Sequence, residues 1–214
     1  VDFKNSYKTM DLSYMESVLW AFKQLHEKGL LYEDFRVVPY SWACQTPLSN
    51  FETRMDNAYR QKASKTVKVK FYLQEIPSFL KEFTTLGSKT ALIAWTTTPW
   101  TLVSNTAIAV HPEVKYLVAK TEENEIYVVA EPLVKVLGEN YQIIEEINGK
   151  DLEHTKYKRP FDFIEIPDAH FVVLADYVTT EDGTGLVHQS PAFGAEDLIV
   201  CRKYNLPVVN PIAA

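Results

Sequence analysis

A chain of 214 residues is long enough for one large domain, or a domain with a small appendage. Its 46% hydrophobic, 13% aromatic and 23% charged residues are the proportions of a globular chain with a core, which excludes a disordered or collagen-like polymer. The net charge of −6 argues against a free-standing nucleic-acid binder, which carries a basic balance. No stretch approaches the roughly 18 apolar residues of a membrane span. Two cysteines, Cys44 and Cys201, are too few for a disulfide framework or a four-ligand zinc site, so a reducing, cytoplasmic setting is expected. The chain opens at Val1 and stops just after the apolar run at 206–209, as a piece of a longer protein would.

The first predicted element is a helix. Asp11 or Ser13 caps it, Ser13 and Glu16 have capping-box spacing, and Leu12, Met15, Val18, Leu19, Phe22 and Leu25 share one face before Gly29 stops it. A short extended piece at 37–40 and the Pro/Ser/Asn stretch at 46–50 follow. They suggest a boundary between a helical arm, residues 1–52, and a main domain, residues 53–214. From Arg54 to Lys70, six cations (Arg54, Arg60, Lys62, Lys65, Lys68, Lys70) face a single acid, Asp56. Such a run suits a solvated linker face, and equally a local phosphate-contacting patch on an acidic protein.

Beyond Lys65 the period changes to two: Val67, Val69, Phe71 and Leu73 alternate with polar neighbours. Further β-rich runs fall at 90–95, 106–110, 116–119, 126–130, 143–147 and 171–175, with short helical stretches at 131–137 and 194–204. Many short strands with few helices predict an α+β domain, mainly β and barrel-like, rather than a doubly wound sheet.

Two segments carry candidate chemistry. In the first, Trp95-Thr96-Thr97-Thr98-Pro99-Trp100-Thr101-Leu102-Val103-Ser104-Asn105, hydroxyls and an amide crowd between and beyond two tryptophans at a strand end. Alternate hydroxyls of a strand point into one space, where they can bind an uncharged polar ligand such as a ribose. Threonines also simply suit β geometry. In the second, from Asp182 to Asp197, Gly183 and Gly185 permit close loop approach, a strand delivers His188, and Gly194 opens a helix with Glu196 and Asp197 in its first turn. First-turn carboxylates also favour the helix dipole, and a histidine beside an apolar strand also suits a core. Ser41 stands where a second thiol would complete half a zinc knuckle with Cys44, so no metal site is expected.

Together the segments resemble the editing domain of the isoleucyl-tRNA synthetases, with their Trp-Thr-Thr-Thr-Pro-Trp-Thr-Leu and Gly-Thr-Gly-x-Val-His-x-Ala-Pro-x-x-Gly-x-x-Asp signatures. Tyr7-Lys8-Thr9-Met10-Asp11, Val38-Pro39-Tyr40 and Thr46-Pro47-Leu48-Ser49 are similar to the stretches leading into that domain. Residues 111–170 contribute least. The valyl and leucyl relatives carry Thr-Thr-Arg-Pro where this chain has Thr97-Thr98-Pro99, which favours the isoleucyl branch.

The resemblance implies a distorted barrel-like editing fold and hydrolysis of misattached valine from the acceptor end of the isoleucine tRNA. Valine adenylate is a further implied substrate. An isoleucine site rejects valine by only ~1–3 kcal/mol, a limit for which isoleucyl-tRNA synthetase is itself the standard case. By position it implies that Asp197 binds the substrate ammonium and His188 excludes the longer side chain. Thr96, Thr97, Thr98, Thr101 and Asn105 would hold the adenosine, the ester and an attacking water. Trp95 and Trp100 would shape the pocket, with Gly183 and Gly185 beside it. The implied partners are the tRNA and the rest of a synthetase, with this piece monomeric and without a cofactor of its own. ATP and magnesium would serve the parent. The alternatives are a valyl-type site clearing threonine and a non-catalytic insertion that positions tRNA. Val103, Ser190 and Phe193 depart from the family's usual proline, alanine and histidine.

Overall fold

The structure, a computed structural model, describes residues 2, 4–81 and 89–212. The chain divides into two compact units, Val1–Arg36 and Val37–Ala214, a division that falls before the boundary expected at residue 52. The first unit is built on α1 (Leu12–Glu27), which ends at Gly29 with φ +67°. Asp11 occupies the N-cap position without a side-chain capping bond. The capping box expected at Ser13 does not form, because Ser13 already lies inside the helix and its carbonyl accepts the Ser17 hydroxyl at 2.9 Å. The apolar stripe from Leu12 to Leu25 is exposed, and no residue of α1 is buried.

In the second unit β1 (Tyr40–Ser41) and β2 (Thr46–Pro47) make a small hairpin. The remaining strands are β3 (Val67–Tyr72), β4 (Thr90–Thr96), β5 (Ala107–Val110), β6 (Lys115–Thr121), β7 (Ile126–Ala130), β8 (Tyr141–Asn148), β9 (Phe171–Leu174) and β10 (Leu186–Gln189). They form two mixed sheets, ordered β3-β4-β7-β6-β8 and β10-β5-β9, with β4/β7 and β5/β9 parallel and the other pairs antiparallel. Helix α2 (Ala195–Lys203) follows β10. The stretch at 131–137, expected as a helix, is a 3-10 helix that begins at a proline turn. This is the expected mainly-β α+β class, but the barrel stays open: two hydrogen-bonded sheets face each other.

The side-chain period of two explains how both sheets are buried. Leu92, Ala94, Val128, Ile108, Val110 and Val172 point into the core between the sheets. Their neighbours Ala91, Ile93, Tyr127 and Val129 pack outward against the 3-10 helix. Ala107, Ala109 and Val173 pack against Val200 and Cys201 of α2. A strand covered on both faces reads as a continuous apolar run, and full burial of each such Leu, Ile or Val stabilises by about 1.5–3 kcal/mol.

Candidate active site

The site forms where the two sheets meet. Strand β4 ends at Thr96, and Pro99 then starts a 3-10 helix, Pro99–Ser104, that feeds into β5. Strand β10 pairs antiparallel with β5, His188 opposite Ile108 and Gln189 opposite Ala107. The end of β10 therefore runs back alongside the 3-10 helix, which brings together residues more than eighty positions apart. The threonine hydroxyls converge because the chain turns at Pro99. The strand alternation expected from the sequence governs only Thr96.

The result is a cavity of about 330 Å³ lined by Trp95, Thr96, Thr97, Thr98, Trp100 and Thr101 from one segment and Val187, His188, Ser190, Phe193, Gly194 and Asp197 from the other. Hydroxyls step along its wall: Thr96 Oγ1 lies 3.3 Å from Thr98 Oγ1, which lies 3.5 Å from Thr101 Oγ1. Thr97 is exposed and its hydroxyl is unbonded within the described residues. Trp95 is half-buried, and Trp100, 60% exposed, meets Phe193 edge-on at 5.3 Å. Neither tryptophan is a core residue.

His188 is 6% exposed, and both ring nitrogens are engaged inside the protein. The Asn105 amide donates to the Ala107 carbonyl at 3.0 Å, which fixes its orientation because a carbonyl only accepts. Its NH2 therefore also donates to His188 Nδ1 at 2.8 Å, and its Oδ1 accepts the Tyr157 hydroxyl at 2.7 Å. With Nδ1 an acceptor, Nε2 carries the proton and donates to Thr101 Oγ1 at 2.9 Å. That hydroxyl in turn donates a hydrogen bond to the Thr98 carbonyl at 2.9 Å. Burial holds the imidazole pKa down to about 4. A neutral ring with no free nitrogen offers the cavity only its carbon surface.

Asp197 has the opposite character. Its Oδ2 accepts the Ser190 backbone N–H at 2.7 Å. Near Oδ1, at 3.5 Å, stands the Tyr177 hydroxyl, whose proton goes to Gln189 Oε1 at 2.8 Å. One carboxylate oxygen thus remains open to a ligand. Burial, aided by the Glu196 charge, raises the carboxyl to about 6 against the opposing Ser190 bond, the kind of shift that marks functional sites. Ser190 also donates its hydroxyl to Ser104 Oγ at 2.7 Å, and Ser104 donates to the Thr101 carbonyl at 3.1 Å. The proline turn is thereby tied to the 3-10 helix.

Three expected ligand contacts sit elsewhere. Asn105, fully buried, lies behind His188 with its amide spent on protein partners, so it positions the ring and does not line the cavity. Gly183 and Gly185 border a neighbouring hollow behind Trp95. Their φ of +79° and +74° and the closeness of the Trp95 ring and the Ala130 Cβ explain why they are glycines. Tyr157 and Tyr177, which hold Asn105 and face Asp197, carried no sequence signal. Among the described residues no three His, Cys, Asp or Glu side chains gather as metal ligands, and no helix is long and apolar enough to cross a membrane.

The profile of the tRNA synthetases class I (I, L, M and V) matches residues 1–172. The chain is 52% identical over 215 residues to the isoleucine–tRNA ligase of Thermobifida fusca, covering 99% of this chain and 19% of that protein. Against the isoleucine–tRNA ligase of Wolbachia pipientis wMel it is 44% identical over 255 residues, covering 99% and 22%. It spans about a fifth of the length of these relatives. Among solved structures it is similar to the editing domain of the P. knowlesi cytosolic leucyl-tRNA synthetase, with a TM-score of 0.54, 14% identity and coverage of 65% of this chain and 64% of that one. The P. falciparum counterpart gives a TM-score of 0.53 at 13% identity, covering 65% and 67%. At these identities the likeness is one of fold.

Proposed function

The chain belongs to the class I tRNA synthetases (I, L, M and V), and on that premise we propose that its cavity is an editing site. It hydrolyses the ester that joins valine to the acceptor end of the isoleucine tRNA. The observation that carries this reading is the pairing of a carboxylate with one open oxygen, Asp197, and a neutral imidazole with none, His188, on the walls of one small cavity. The carboxylate suits a substrate ammonium, through a charge-assisted bond. The imidazole, neutral at pH 7 and bonded at both nitrogens, suits steric exclusion and is a poor proton carrier there.

In this reading a water adds to the ester carbonyl, the C–O bond to the ribose breaks, and valine and the free tRNA hydroxyl leave. Thr97 and Thr98 hold the terminal ribose and orient the water. The hydroxyls and backbone donors of the turn stabilise the developing oxyanion. Among the described residues no Ser/His/Asp arrangement supports a covalent intermediate.

The test is deacylation by the full chain at high concentration. Valyl-tRNA should be cleaved, while isoleucyl-tRNA should be spared. His188→Ala should then begin to cleave isoleucyl-tRNA, because trimming the ring opens space for the extra methylene. Equal turnover of both esters by the parent chain refutes the editing reading. Loss of valyl-tRNA cleavage in His188→Ala with isoleucyl-tRNA still spared refutes the steric role.

A further inference from the structure

Of the six cations from Arg54 to Lys70, Arg54 ends the 3-10 helix Glu52–Arg54, and the other five divide in the fold. Lys70 pairs with Glu125 at 2.6 Å, and Lys68 donates to the Val136 carbonyl at 3.4 Å. Arg60, Lys62 and Lys65 differ. They lie in an exposed segment without regular structure, 58–66, and no acid or carbonyl of the described residues pairs with them. Topology fixes where that segment leads. Strand β3 runs antiparallel to β4, with Val67 opposite Thr96 and Lys68 opposite Trp95. The start of β3 is therefore the cavity end of the sheet. Lys65, two residues earlier, has its Cα within about 7 Å of Val67, and Val67 is itself about 5 Å from Thr96 across the pair. Lys65 thus stands beside the cavity end of the sheet, and Arg60 and Lys62 precede it on the same exposed segment, on a chain whose net charge is −6.

We propose that Arg60, Lys62 and Lys65 form a phosphate-binding strap that tracks the single-stranded nucleic-acid backbone entering this cavity. The proposal rests on the editing reading for the identity of that strand. The cavity itself offers one carboxylate, neutral hydroxyls and a neutral imidazole, so it contains nothing to neutralise phosphodiesters. A tRNA acceptor end carries several negative charges past its mouth. Lys and Arg on an extended, exposed segment supply that neutralisation without reading sequence, and their contacts release counterions and so depend on salt.

The experiment replaces all three cations (Arg60→Gln, Lys62→Gln, Lys65→Gln) in the full chain, with Lys150→Gln as the charge control. Lys150 bonds to Pro112 just past the far end of β5 from the cavity. Two substrates separate the strap from the chemistry: valyl-tRNA, and the valyl ester of adenosine, which has no phosphate. The triple variant should raise KM for valyl-tRNA tenfold or more at low salt while leaving kcat and adenosine-ester hydrolysis unchanged. The plot of log(kcat/KM) against log salt should flatten by about 2, at about 0.7 for each lost single-strand contact. The control should move neither. An unchanged KM and slope overturn the strap even where valyl-tRNA is cleaved. If the parent chain cleaves neither ester, the editing reading falls, and the strap is judged by salt-dependent binding of uncharged tRNA: a weaker, flatter response in the triple variant sustains it, and an identical or absent response overturns it.

Discussion

The Asp197 carboxyl titrates near 6 in the folded protein rather than at 3.8, chiefly because burial disfavours its ionised form. Between those values the native state binds more protons than the unfolded chain, so this group's contribution lowers stability as pH rises through the window and lowers it fully above about 6. A shift of roughly two units corresponds to about 3 kcal/mol at most, and partial exposure reduces it to about 1–3 kcal/mol. Asp197→Asn removes the charge while its amide oxygen can still accept the Ser190 N–H. The variant should therefore be more stable than the parent at pH 7.5, with an advantage that shrinks by about two-thirds at pH 4.5, while valyl-tRNA deacylation is lost. Urea unfolding of both proteins across that range measures the difference directly. A variant less stable at pH 7.5, or a difference that does not grow with pH, would show that the carboxylate holds the start of α2 together, and the argument for a site maintained at the expense of stability would fail.

Gly194→Ala is expected to abolish most activity with little loss of stability. Its φ of −117° suits alanine, but the new Cβ would stand 2.5 Å from Asp197 Cγ and displace a flexible side chain; an unchanged deacylation rate beside an unchanged Tm contradicts this. Tyr157→Phe keeps the ring that meets Phe71 edge-on at 5.2 Å and removes only the hydroxyl bonded to Asn105. It should cost about 1–3 kcal/mol for the orphaned amide oxygen, while the Ala107 carbonyl still holds the Asn105 amide and imidazole nitrogen NMR still shows His188 in the single Nε2–H form; mixed tautomers in the variant refute that orientation.

Legibility in the sequence followed the range of the interactions. Strand β3 announces itself through Val67, Val69 and Phe71, because one face is buried and the other carries Lys68 and Lys70 in water. Strands β4, β5 and β7 show as apolar runs because both of their faces are covered. The residues that bring Thr96, Thr98 and Thr101 together are contiguous, so the first half of the candidate site was readable from a single segment. His188 and Asp197 were readable from the other.

The stretch from 149 to 170 was not legible. It contains no strand of its own, and His154, Asp168 and His170 adopt positive φ without the glycine that would signal it. Its Tyr157 reaches the site only because β5 pairs with both β9 and β10, a sheet order that residue patterns do not encode. The assignment of Asn105 failed for the same reason. An amide beside a cluster of hydroxyls reads as a ligand contact when only the neighbouring sequence is in view. Once β10 returns along β5, that amide meets Tyr157, the Ala107 carbonyl and His188, and a buried amide satisfies its bonds with what the fold supplies. The polar residues nearest a cavity in sequence therefore fall into two kinds. Thr97 and Asp197 keep an oxygen free for a ligand. Asn105 has none left, and acts on the cavity by fixing which face of His188 it presents.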